Sequence, residues 1–262
     1  MAGPVALMIA VTCLWGTSSA LLAAMAAPAT AGLAALGGAV PLLLSARLRG
    51  QRPWATLTAH PALYIRLGAL EAANLALYVA ALRVGPLPVV VALHLTAPVL
   101  IIAAAIWLVT GYHSGPVAGP VVAGCGLALG SAACVAMLVS VIARQPGPNH
   151  TTTSAALQLL LGGVASSPLL ALDPPSVPVA AALAVVGATL LGPGFALYWQ
   201  ALRWLDAGTA SVIGLNEAVV ATLLAAAYTH TLPAWPTAAA GVLILIAVGL
   251  EQRSASRQHV PP

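Results

Sequence analysis

The chain is 262 residues long, 61% hydrophobic and 5% charged, with a formal net charge of +4. A soluble domain carries roughly 25% charged residues, so a water-wetted globule is excluded and an integral membrane protein is indicated. The basic residues are all Arg, set singly or in small loop clusters; that pattern orients a chain in a membrane and does not bind nucleic acid.

With about 20 apolar residues per crossing, the first span covers residues 4–26, centred on Trp15 and Gly16, and the second covers 30–48. A cleaved signal peptide is not expected, because no basic segment precedes the first apolar run. A basic loop follows with Arg47, Arg49, Arg52 and Trp54. The third span, 61–82, contains Arg66, Glu71 and Asn74. Arg83 and Gly85-Pro86 mark a tight turn before the fourth span, 86–109. Residues 111–120 are broken by Gly and Pro, and a long apolar run then reaches residue 143. After the polar loop 144–150 come spans 151–172, 178–202, 207–230 and 236–250. The tail from Glu251 to Pro262 is polar and expected to be mobile. Cys13, Cys125 and Cys134 all lie in apolar segments and read as small hydrophobes; no CxxC or HExxH spacing suggests a metal.

These are nine clear apolar segments, and the arginines argue for a tenth crossing. Arginine gathers in cytoplasmic loops. If the Arg47–Arg52 loop is cytoplasmic, nine single crossings put Arg144, Arg203, Arg253 and Arg257 outside. One extra crossing between Pro86 and Ala143 puts those four inside and leaves only Arg83 outside. Length opposes this: residues 86–143 make about 87 Å of helix, and three crossings need about 90 Å before any loop. The segment 110–143 is therefore expected to be irregular, crossing once or twice.

The two halves repeat. At an offset of 120 residues, Ala76, Leu77, Tyr78, Ala81, Leu82 and Arg83 recur as Ala196, Leu197, Tyr198, Ala201, Leu202 and Arg203. LTAPV at 95–99 falls on LNEAV at 215–219. Such a repeat in an apolar chain indicates a transporter built from two related halves.

Glu71 and Glu217 lie near the middle of their spans. An ionisable group at mid-bilayer costs about 2.5–3.5 kcal/mol on insertion scales, so it faces a cavity or a partner. Either the carboxyls form a substrate or proton site, or they hold helices together by hydrogen bonds. Glu71, Asn74 and Tyr78 share one helix face by their i, i+3, i+7 spacing. Asn216 adjoins Glu217 but points about 100° away, so one of the two lines a pathway while the other bridges helices. His94 is a ligand contact, a relay member or a structural histidine. Trp15, at mid-span, stacks on a substrate or packs beside Gly16. Tyr198 reads as an interface anchor, and Trp199 with Arg203 reads as a structural cation–π pair at i, i+4.

The motifs resemble the drug/metabolite transporter superfamily, in its EamA-type branch. LWGTSSALLAA at 14–24 is similar to that family's first helix, and ALYVAALR with LTAPVL to its third and fourth. ALYWQALR, LNEAVVATLLA and GVLILIAVG are similar to the matching parts of the second half. Ala218 stands where the family typically has Pro, and GYHSG and THTLP stand where it often has Gly-Glu. The resemblance implies an all-α polytopic protein of two inverted five-helix repeats, here 1–112 and 113–252, with a polar tail at 253–262.

The expected function is secondary active transport of small metabolites or amino acids, outward, by alternating access across the plasma membrane. The Arg47–Arg52 loop and the tail would be cytoplasmic. Pathway candidates are Trp15, Glu71, Asn74, Tyr78, His94, Asn216 and Glu217, with protons as the coupling ion. No cofactor, metal or ATP-binding loop is expected, and a homodimer is left open. The competing readings are a degenerate member without transport activity and an intramembrane lipid-modifying enzyme; scattered single acids and histidines weigh against the enzyme.

Overall fold

A computed structural model describes residues 3–25, 31–95, 119–145, 150–233 and 235–258, and among them every regular element is helical. That is the outcome lipid demands, since only a helix or a closed barrel satisfies its own backbone polar groups there. The helices are α1 (Pro4–Met25), α2 (Ala31–Leu48), α3 (Pro53–Ala59), α4 (Pro61–Val84), α5 (Leu87–Leu95) and α6 (Gly119–Ala143). Then follow α7 (Thr151–Ser166), α8 (Val177–Val186), α9 (Gly192–Ala201), α10 (Ala207–Gly214), α11 (Asn216–Thr229) and α12 (Trp235–Gln258).

The sequence punctuates these elements by known rules. Pro53 and Pro61 open α3 and α4, where their missing N–H would be unsatisfied anyway. Asp206 caps α10 by accepting from the Thr209 N–H at 2.9 Å. His230, with φ 52, ends α11 in the left-handed conformation. A π turn over Gly187–Leu191 joins α8 to α9 as one span. α10 and α11 likewise follow one another, separated at Leu215.

Seven helical stretches among the described residues are long and apolar enough to cross a membrane. They are α1, α2, α4, Val122–Ala143 in α6, Thr151–Ala171, α8 through α9, and α10 through α11. Nine spans were expected; 86–109 and 236–250 are the two that are not among these seven. α12 contributes only the shorter apolar stretch Thr237–Leu250, because Glu251 and Arg253 follow it. α5 is described only to Leu95, and the rest of the expected fourth span lies outside the described residues, as does the Gly/Pro-rich stretch 111–118. The part of the expected irregular segment that is described, 119–143, is one regular helix. α12 continues to Gln258, so the described part of the polar tail is helical.

Helix directions follow from contacts. Thr153 Oγ1 donates to Gln51 Oε1 at 2.5 Å, and Tyr64 Oη lies 3.0 Å from Ser154 Oγ, so the end of α2 and the starts of α4 and α7 share one face. Arg203 and Trp204, after α9, line a cleft with Arg49 and Thr151 at that same face. Arg47, Arg49, Arg52, Arg144 and Arg203 therefore gather at one end of the bundle. Arg83 sits at the opposite end, 3.2 Å from Asp173 after α7. A Cβ on Gly124, in the first turns of α6, would stand 3.1 Å from the Gly85 Cα that precedes α5. α5 and α6 thus both start at the Arg83 end.

Small residues let the helices touch backbone to backbone. A Cβ on Gly38 would meet Gly187 O and Gly192 N at 3.0 Å, so α2 crosses the α8–α9 span at its π turn. A Cβ on Gly162 would lie 2.9 Å from the Glu71 Cβ, and one on Gly16 2.9 Å from the Glu217 carbonyl. Both intramembrane glutamates therefore sit where a glycine has drawn a second helix against their own.

Candidate functional site

Glu217 opens α11 at mid-bundle and is 3% exposed. The close α1–α11 approach at Gly16 brings Ser19 onto it, and Ser19 Oγ donates to Glu217 Oε1 at 2.9 Å. Asn216 Nδ2 donates to Thr12 Oγ1, also on α1, at 3.1 Å. Both members of the adjacent pair bridge to α1, and Glu217 is the one that also lines the cavity. A cavity of about 230 Å³ ends on Glu217, Trp15 and Tyr198. Its remaining wall includes Met8, Ser140, Gly208 and Ser211, so it extends from mid-bundle toward the arginine-rich end.

Trp15 lies in that cavity between aromatic rings, with centroids 5.0 Å from Phe195 and 4.9 Å from Tyr198. Its Nε1 is buried without a hydrogen-bond acceptor, against Gly194. Tyr198 is not an interface anchor: it is buried beside Trp15, so its aromatic body is used inside the bundle.

Glu71 belongs to a second cluster and is 0% exposed. Gln158 Nε2 on α7 donates to Glu71 Oε2 at 2.7 Å. Trp199 Nε1 on α9 donates to Gln158 Oε1 at 2.8 Å. Trp199 therefore turns into the core, and the expected cation–π pairing with the exposed Arg203 is replaced by this buried chain. Glu71 Oε1 has no partner.

Asn74 and His94 meet at Ser131 on α6. Ser131 Oγ donates to Asn74 Oδ1 at 2.7 Å and lies 2.8 Å from His94 Nδ1. A hydroxyl has one proton to give. With that proton on Asn74, His94 donates from Nδ1 and keeps Nε2 as an acceptor. The His94 ring lies 4.3 Å from the Tyr78 ring. Tyr78 Oη stands beside Ser19 and Glu217 without a hydrogen bond of good geometry. The polar groups thus run from Trp199 through Glu71, Asn74, Ser131, His94 and Tyr78 to the Ser19–Glu217 pair.

All seven expected pathway residues lie in this central region, but in different roles. Trp15 and Glu217 line the cavity; Glu71, Asn74, Tyr78 and His94 are packed between helices. Ser19, Ser131, Gln158 and Trp199 carry the inter-helix bonds and were not anticipated as site residues. Gln158 had a usable signal, a lone amide in the apolar run AALQLLL. Among the described residues, no three His, Cys, Asp or Glu side chains come together as a metal site would require.

Residues 122–250 match the EamA-like transporter family. That stretch runs from α6 into α12. A protein of known crystal structure, 18% identical, superposes at a TM-score of 0.67, covering 99% of this chain and 99% of its own. At that identity the likeness is one of fold. None of the curated proteins compared matches the sequence.

Proposed function

We propose, on the premise that this chain belongs to the EamA-like transporter family, that it is a secondary active exporter of small metabolites working by alternating access. The observation that carries this is the cavity itself. It ends at mid-bundle on a buried carboxyl, Glu217, and on Trp15, whose indole N–H has no acceptor. An unpartnered donor and a carboxyl at that depth are costly unless a ligand or water engages them. By the positive-inside rule the arginine-rich end is cytoplasmic, so the cavity would load from the cytoplasm.

Pairing of elements at the 120-residue offset supports inverted repeats. α2 starts at 31 and α7 at 151; α5 starts at 87 and α10 at 207. α1 corresponds to α6 and α4 to the α8–α9 span, and in each pair the two members run in opposite directions. α12 corresponds to no described helix of the first half. Five helices per repeat would put the repeat boundary near the expected 112/113 division, outside the described residues.

For coupling we assign the proton to Glu217, which touches both the cavity and Ser19. Glu71 is reached only through the polar chain. The test is uptake into inverted vesicles, with an imposed proton gradient, of a panel of small amines, amino acids and neutral metabolites. Gradient-driven accumulation of any panel member that Glu217→Gln abolishes supports the proposal. Accumulation in Glu217→Gln equal to wild type at every pH would sink it.

A further inference from the structure

We infer that the cleft between α2, α7 and α9 at the arginine-rich end binds a phosphate group, carried by an anionic lipid or free in solution. The cleft holds about 560 Å³ and is lined by Ser45, Arg49, Gln51, Thr152, Gln200 and Arg203, with apolar Leu42 and Leu197 at its base. It is separate from the central cavity, and none of its lining residues belongs to that site.

Charge and pseudo-symmetry both point to an anion. Arg203 repeats Arg83 at the offset of 120 residues. At its end of the bundle Arg83 has Asp173 at 3.2 Å. Arg203 faces instead a cleft with a second cation, Arg49, and among the described lining residues no acid. Two arginines lining one cleft raise its positive potential, and an anion seated there would offset it. Phosphate oxygens match the guanidinium fork. The start of α7 at Thr151 and Thr152 borders the same cleft, and its N-cap residue His150 makes no side-chain cap. N–H groups of a helix start would add donors to the arginines.

The position suits a headgroup. Basic pockets between helices on the cytoplasmic side take phospholipid headgroups. Trp204, 59% exposed at the rim, would lie at headgroup depth, where indole prefers to sit. The volume exceeds that of inorganic phosphate alone and leaves room for a glycerol-sized substituent.

The test measures thermal unfolding of the purified chain in phosphatidylcholine nanodiscs. Phosphatidylglycerol is titrated in as mole fraction, and inorganic phosphate is titrated separately at constant ionic strength. Wild type should gain stability saturably. Arg49→Gln and Arg203→Gln should each raise the half-saturating amount about fivefold, the equivalent of about 1 kcal/mol per arginine. Arg144→Gln, at the same face but outside the cleft, should leave it unchanged. Protection by phosphatidylglycerol alone assigns the site to lipid, and protection by both assigns it to any phosphate. No saturable protection, or protection equally lost in Arg144→Gln, overturns the site and leaves the transport proposal standing. Both arginines are exposed, so the variants should fold.

Discussion

Glu71 and Glu217 are the same residue type at the same depth, and the molecule treats them differently. Each is met by a second helix at a glycine, Gly162 for Glu71 and Gly16 for Glu217. Glu71 receives an amide on Oε2, and that amide is itself held by an indole, while Oε1 is buried without a partner and away from the cavity. Glu217 receives a single hydroxyl and keeps one side toward the cavity. Depth therefore identifies a costly group, and its neighbours decide whether that group works or binds. A carboxyl bonded by an amide that is itself held joins helices; one bonded by a rotatable hydroxyl beside open volume is where the proposed exchange of a proton would take place.

The largest expected effect separates the two glutamates directly. Glu217→Gln should cut gradient-driven uptake about 100-fold or more, in the range seen when an essential charge-carrying group is removed. Glu71→Gln should stay within severalfold of wild type, because an amide can still bond Gln158. Equal losses in the two uptake assays would erase the distinction.

Next in size is packing. Gly162→Leu should force α4 and α7 apart at the Glu71 Cβ and cost about 1–3 kcal/mol, visible as a lower unfolding midpoint in detergent. Gly130→Ala should be much milder, since a Cβ there would first meet Leu77 Cδ1 at 3.3 Å, the tip of a flexible side chain.

A smaller effect belongs to the buried chain. Glu71→Leu should cost about 0.6–1.7 kcal/mol, the range for hydrogen bonds between membrane helices. Gln158→Leu should cost a similar amount. The double variant should lose less than the sum, because the two residues share one bond. Strict additivity in a thermal double-mutant cycle would show that the Glu71–Gln158 bond contributes nothing.

The smallest effect lies outside the membrane. Asp206→Ala should cost about 1 kcal/mol through loss of the α10 cap. The hydrogen bonds from Thr209, first its backbone N–H and then its hydroxyl, hold the Asp206 carboxyl below the usual carboxylate range. A carboxyl depressed in the folded state stabilises the fold above its unfolded value, and that stabilisation fades as the pH falls through the folded one. The gap between wild type and variant should therefore close below about pH 4. A gap constant down to pH 2 would assign the cap to helix propensity alone.

Much of this arrangement was legible because it depends on local order. Composition required helices, and the apolar runs from Pro61, Thr151 and Ala207 marked helix starts that the structure reproduces. The depth of Glu71 and Glu217 follows from counting along a span. What escaped depends on which helices meet. Trp199 and Arg203 are neighbours on one helix, and the i, i+4 rule paired them; the α7 contact instead offers Trp199 the Gln158 carbonyl. Tyr198 near a span end suggested the interface, yet the facing helix carries Trp15. Ser19 and Ser131 are small hydroxyls that a single helix would bond to its own backbone, and only a neighbouring helix shows that each has a partner across the bundle.

The Arg83–Asp173 pair joins residues 90 apart in the chain. Arg83 stands at the end away from the other described arginines, against the charge preference that sets orientation during insertion. A ribosome delivers α4 well before it reaches Asp173. With the arginine-rich end cytoplasmic, as proposed, Arg83 would cross before its counter-ion is synthesised. Asp173 follows α7, so the pair can form before α8 to α12 have been made. The pair is half-exposed and worth about 0–1 kcal/mol, so it would mark the finished arrangement more than enforce it: an arginine misplaced by one crossing would have no acid waiting for it.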